Sequence, residues 1–110
     1  MPSPPLPPPR PPVVAAPSSE GQLVDEARRA LRSKDLAAAH AALAEHRRRF
    51  PTGLLVEERD VLAIEALVYG HDDNAAGAAI TAYRLHHPRG LLGARIEHAR
   101  AVLAARAAAP

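Results

Sequence analysis

Six histidines, the acidic doublets Glu57-Glu58 and Asp72-Asp73 and one run of three arginines are the side chains of this sequence whose chemistry could exceed a structural role. A first-row metal ion takes ligands from one face of the chain, typically four residues apart on a helix with a third donor nearby. His40 and His46 are six apart, His86 and His87 are adjacent and diverge, and His71 and His98 are isolated. They read as helix-surface histidines, with no metal site. Glu57-Glu58 and Asp72-Asp73 resemble paired catalytic carboxylates only if spacing is ignored, because sequence neighbours at a helix start point in different directions. They read as capping charge. Arg47-Arg48-Arg49 would need further basic charge and aromatic stacking surfaces to hold nucleic acid, and cations in a last helical turn already suit the helix dipole. With no glycine-rich phosphate loop, serine elbow or cysteine nucleophile, the sequence predicts no enzyme, no cofactor and no nucleic-acid partner.

The elements that must position these groups are helices. Apolar residues make up 47% of the chain, yet it has one Phe, two Tyr and no Trp, so the apolar count comes mainly from alanine with Leu, Val and Ile. Alanine buries little area but has the best helix propensity and lets helix axes approach closely. Nine of the twelve prolines fall within residues 1–17, which therefore read as an extended, disordered spacer ahead of a folded domain at 18–110. Pro5 to Arg10 fits the PxxPxR pattern that docks in aromatic grooves, but in so proline-rich a stretch the spacer is the better reading. The net charge of +2 leaves the folded part nearly neutral, and no stretch approaches the apolar length of a membrane span, so the chain reads as soluble. Cysteine is absent, so the compartment is left open.

A block of 37 residues occurs twice and begins a third time. Arg49-Phe50-Pro51-Thr52-Gly53-Leu54-Leu55 aligns with His86-His87-Pro88-Arg89-Gly90-Leu91-Leu92, and Asp35 with Ala38 to Leu43 aligns with Asp72 and Ala75 to Ile80. Periods of this size mark helical arrays whose units bury their apolar faces against one another. Helical spacing predicts five helices: one opened by Ser18-Ser19, then about Leu36 to Phe50, Leu54 to Tyr69, Asn74 to His86, and Leu91 to Ala107. The third, apolar around much of its circumference, should be the most buried. Gly70 is expected in a left-handed conformation that ends it, and Gly77 is expected either to weaken the fourth helix or to permit its close packing against the preceding one.

Asp35 ahead of Ala39, with Pro51 twelve residues past that alanine, and Asp72, Ala76 and Pro88 at the same spacing, resemble the tetratricopeptide repeat over about Gly21 to Arg106. The period is 37 rather than the family's usual ~34, and Leu23 and Asp60 stand where a large aromatic would open each unit. The resemblance implies an all-α fold, a short right-handed α-solenoid of two helix-turn-helix units plus a closing helix. The arginine-rich helices and phenylalanine-proline link behind a proline-rich stretch are similar to the periplasmic repeat regions of bacterial outer-membrane assembly lipoproteins and membrane-anchored sigma-factor regulators. That likeness implies a place in the cell envelope behind an anchor.

The resemblance further implies a partner groove lined by the first helix of each pair: Val24, Arg28 and Arg32, then Val61, Glu65 and Tyr69, then His98, Val102 and Arg106. Arg28, Arg32 and Arg106 could clamp a carboxylate through forked hydrogen bonds, and the opposing reading makes these arginines a solvated face and the valines core. The sequence thus predicts a non-catalytic protein-protein interaction module with a protein or peptide partner of acidic character. The alternative is a self-associating element, since so small a core is marginally stable alone.

Overall fold

The computed structural model describes residues 2–6 and 19–109. Residues 2–6 are exposed and form no helix or strand, whereas the rest of the predicted spacer, including its boundary at Ser18 and Arg10 of the PxxPxR match, lies outside the described residues. The fold is all-α: α1 (Glu20–Arg32), α2 (Leu36–Arg49), α3 (Val56–Tyr69), α4 (Asp73–His86) and α5 (Gly93–Ala108), with no strand among the described residues.

The turns inside the helix pairs show how few residues are needed. Ser19 opens α1 with a capping box, its hydroxyl accepting from the Gln22 amide while Gln22 accepts from the Ser19 amide. At the other end, the amide of Lys34 donates to the carbonyl of Leu31 and that of Asp35 to Ala30, at 3.0 and 2.9 Å. This is a Schellman motif. His71 and Asp72 make the same two bonds to Val68 and Leu67, at 3.1 and 3.0 Å. The left-handed residues are Lys34 and His71, with φ of 61° and 60°. The expectation that Gly70 is left-handed is corrected: its φ is −79°, and a Cβ there would crowd Leu36 at 3.1 Å. Asp35 and Asp72, the last residues of these motifs, immediately cap α2 and α4 by accepting from Ala38 and Ala75. One acidic residue therefore closes one helix and opens the next.

The links between pairs work differently. Pro51 and Pro88 each sit in a turn closed by the amide of Gly53 or Gly90 donating to Phe50 or His87. Phe50 and His87 have matching backbone angles, φ −130° with ψ 58° and 59°. The helices that follow, α3 and α5, have no side-chain cap of their own. A carboxylate from the preceding unit serves them instead. Glu20 accepts the amides of Leu54 and Leu55 at 3.1 and 2.6 Å, and Glu57 accepts those of Leu91 and Leu92 at 3.3 and 3.1 Å. Each carboxylate takes one more donor, the Nε2 of His46 on Glu20 at 3.1 Å and the hydroxyl of Tyr83 on Glu57 at 2.6 Å. A Cβ at Gly53 or Gly90 would collide with these carboxylates, so glycine is required there by close approach. The capping charge read from sequence at Glu57 thus also serves the helix two elements onward. At the third equivalent position stands Ala94.

These links also correct two helix starts. α3 and α5 begin at Val56 and Gly93, two residues later than the sequence predicts. Leu54 and Leu91 consequently lie in the links and are 96% and 93% exposed, while Leu55 and Leu92 turn toward the core. The close packing expected at Gly77 is likewise overturned, since open space surrounds the place a Cβ would occupy.

Two apolar clusters meet at α3. Leu62 joins Val24, Ala27, Ala42 and Leu43 of α1 and α2, whereas Val61 and Ile64 join Ile80, Tyr83, Ile96 and Ala99 of α4 and α5. α1 packs on α2 and α3, and α3 packs on α2, α4 and α5, with α4 also against α5. Ala39 and Ala76, equivalent residues of α2 and α4, are both 0% exposed. Buried methyl groups at these points leave no side chain to hold the helices apart.

Glu20 and Glu57 both ionise below the ordinary carboxylate value of 4.5. Burial opposes ionisation most strongly at Glu20 and is outweighed by the donors of Leu55, His46 and Leu54; at Glu57 the Tyr83 hydroxyl is the main cause of the lowering. Because the folded pKa lies below the unfolded one, their stabilisation is complete above about 4.5 and is lost as pH falls through the folded values. Thermal melts from pH 7 downward should show a midpoint that declines below that range. Glu57→Gln, which keeps the shape and loses the charge, should cost roughly 1–3 kcal/mol at neutral pH and flatten the acid decline; an unchanged midpoint would contradict the capping role.

Candidate functional site

A ladder of charges crosses the face formed by α1, α3 and α5. Arg28 of α1 bonds Asp25 at 2.7 Å and Glu58 of α3 at 2.9 Å. Arg95 of α5 reaches both oxygens of Glu58 at 3.1 Å and forks onto Glu65, its Nε at 3.2 Å. Burial works against ionised Glu58, but the two guanidinium groups hold its pKa below the ordinary value, and Arg95 is in turn raised, chiefly by Glu65. Glu57 and Glu58 do diverge as sequence neighbours must, one toward the following link and the other into this ladder.

Beyond the ladder, α3 and α5 enclose a hollow of about 210 Å³. Glu65, Tyr69, His98, Val102 and Arg106, five of the residues predicted for a partner groove, line it together with Arg95. Tyr69 is 45% exposed. Arg106 is not a free cation, since its Nη1 donates to the carbonyl of Val68 and to Asp73, both at 2.8 Å. The other predicted groove residues stand elsewhere. Val24 and Val61 are core, 2% and 0% exposed, because their side of each helix is the one that packs on its neighbours. Arg28 is committed to the ladder, and Arg32 is exposed with no ion pair among the described residues.

A larger cleft of about 480 Å³ opens between the end of α2, the first turns of α3 and the last turns of α4. Sequence reasoning missed it. Arg59 forms part of its wall with only 8% of its side chain exposed; its Nε and Nη2 donate to Oδ1 of Asp60 at 3.2 and 3.0 Å. The other oxygen of Asp60 holds Nε2 of His87 at 2.8 Å. The signal was present in the repeat: positions 22, 59 and 96 are equivalent, and they carry Gln, Arg and a buried Ile. Tyr83, also on the cleft wall, has its pKa pushed up to about 12 by burial and by Glu57, and it remains a protonated donor.

His40, His71, His86 and His98 are exposed, as spacing suggested, but the other two histidines are not. His46 is 0% exposed and held by Glu20, and His87 is largely buried against Asp60. No group of three or more His, Asp or Glu that could hold a metal ion occurs among the described residues.

No known protein family, curated protein or solved structure gives a match to this chain.

The ladder predicts different behaviour for two neighbouring arginines. Arg28→Glu sets a third carboxylate against Glu58 and Asp25 and should lower the melting midpoint, by up to about 1 kcal/mol or roughly 4–8 °C. Arg32→Gln, which removes an exposed charge without setting a carboxylate at the C-terminal end of α1, should lower it far less. Equal midpoints for the two variants would remove the ladder as a structural tie.

Proposed function

We propose that the chain is a non-catalytic protein-protein interaction module, a short right-handed α-solenoid of two tetratricopeptide-like hairpins closed by α5. Support for the architecture comes from the repeated cap, turn and link geometry at a shift of 37 residues, and from Ala39 and Ala76 buried where the resembling family has a small residue. The observation that carries the function is the convergence of Glu65, Tyr69, His98, Val102 and Arg106 on one hollow between α3 and α5. Its guanidinium and carboxylate groups are already paired within the chain. Recognition therefore falls to the Tyr69 ring, Val102 and His98, which suit an apolar anchor of a peptide segment, with the His98 ring able to donate to an acidic residue beside it. Buried tyrosine contacts of this kind dominate interface energies. No helix among the described residues is long and apolar enough to cross a membrane, and a position behind an anchor in an envelope or regulatory protein rests on the resemblance alone.

Peptides selected from a random display library against the full chain provide the test. Tyr69→Ala and Val102→Asp should each weaken the selected peptides at least ~10-fold, about 1.4 kcal/mol, with unchanged melting curves. Undiminished affinity would overturn the assignment of this hollow.

One observation favours the alternative of self-association: Leu54 and Leu91, equivalent in the two links, and Leu85 are 96%, 93% and 77% exposed. If copies pair through them, light scattering should show a mass that rises with concentration and returns to that of a monomer in Leu54→Glu/Leu91→Glu. A monomer at all concentrations excludes this reading.

A further inference from the structure

The cleft between α2, α3 and α4 contains a buried cation whose hydrogen bonding is incomplete. Nη1 of Arg59 is enclosed and has no partner among the described residues, although the other two guanidinium nitrogens are fixed by Asp60. Orphaned buried donors are rare, because leaving one unsatisfied costs about 1–3 kcal/mol and more for a charged group. The fold does not require the charge. Isoleucine fills the equivalent position of α5 at 1% exposure, and Gln22 occupies that of α1. The charged set Arg59, Asp60 and His87 is matched in the first copy by Gln22, Leu23 and Phe50, so it is peculiar to the middle of the chain.

We propose that this cleft binds a carboxylate carried on a small apolar body, the anion completing Arg59 and the body lying along the alanine-lined wall. Arg47, exposed on the rim and without an ion pair among the described residues, supplies the second cation. Val56, Ala63, Ala79 and Ala82 supply apolar surface with little bulk. Asp60 does not compete for the ligand's place, since both its oxygens are engaged, one by Arg59 and the other by His87. A carboxylate fits better than a phosphate dianion: one enclosed donor and one rim guanidinium match two oxygens, while Tyr83 and His87 on the same wall are held by Glu57 and Asp60, leaving His86 as the further donor there. Seating it requires only side-chain adjustments of the size that binding commonly brings. The site lies on α3 and α4, apart from the hollow between α3 and α5, and stands whether or not that hollow binds a partner.

Amide-resolved NMR titration of the full chain tests this with five probes: hexanoate, hexanamide, inorganic phosphate, N-acetyl-Ala-Leu as the free acid, and the same dipeptide amidated. Hexanoate and the free-acid dipeptide should give saturable shifts at Ala63, Ala79 and Ala82. The amides should bind at least ~10-fold more weakly. Whichever carboxylate binds tighter identifies the source, a small organic acid or a chain terminus. Arg59→Ile copies the residue that α5 already buries, so the fold should persist while hexanoate affinity falls roughly tenfold or more; Arg59→Gln, copying α1, provides the same reading should the isoleucine variant not fold. Arg47→Gln should weaken binding about threefold. Equal binding of hexanoate and hexanamide, phosphate binding as well as hexanoate, retention of affinity in Arg59→Ile and Arg59→Gln, or no saturable shifts at all would each overturn the proposal.

Discussion

A carboxylate anchored in one helix satisfies the amides that open the helix two elements later, and the rest of this structure is arranged around that reach. Amide groups at a helix start have no partner within the helix, and α3 and α5 lack any side chain at their own caps to supply one. Glu20 and Glu57 instead hold the amides of the N-cap leucine and of the residue before it, and add negative charge where the helix dipole favours it. Several residue choices follow. The link must pass so close to the carboxylate that only glycine fits at positions 53 and 90. Proline two residues before the glycine opens the turn of the link, and a third donor, from the preceding helix, His46 or Tyr83, holds the carboxylate as well. The 37-residue period is the chain length over which this pattern closes on itself.

Packing alone would hold these helices weakly. Much of the buried surface is alanine, which contributes little transfer energy per residue, and the two apolar clusters are joined only through the opposite sides of α3. Buried alanines such as Ala39 and Ala76 let backbone and short side chains meet at the helix contacts. The ladder of Arg28, Glu58, Arg95 and Glu65 ties α1, α3 and α5 along the same seam. Its members are partly exposed, so its value lies in fixing the relative placement of helices more than in net stability.

The repeat made the helices, their order and the central place of α3 readable before any coordinates, because capping aspartates, stop prolines and 3.6-residue periodicity are local signals. Long-range capping is not local. Glu20 and Glu57 sit at helix starts where acidic residues are common anyway, and nothing nearby in sequence reveals that their bonds go to amides 34 and 35 residues away. The same cause shifted two helix starts and turned Leu54 and Leu91 outward. For the site, the positions implied by the resemblance bring Glu65, Tyr69, His98, Val102 and Arg106 around one hollow, whereas Val24 and Val61 follow the opposing reading as core, and the pairing of Arg28 and Arg106 depends on partners from other helices. The cleft around Arg59 escaped notice because its members come from three separated segments. Aligning position 59 with the buried Ile96 would have exposed the anomaly.

The methyl group of Ala94 has a bearing on how such a protein could grow. α1 and α3 each present an acceptor to the link that follows the next helix, whereas α5 presents nothing of the kind. Appending another hairpin by gene duplication or by design would leave two amides of the new junction facing an aliphatic surface. Restoring glutamate at that single position, with glycine at the matching place in the added segment, is the minimal edit that makes the array extensible.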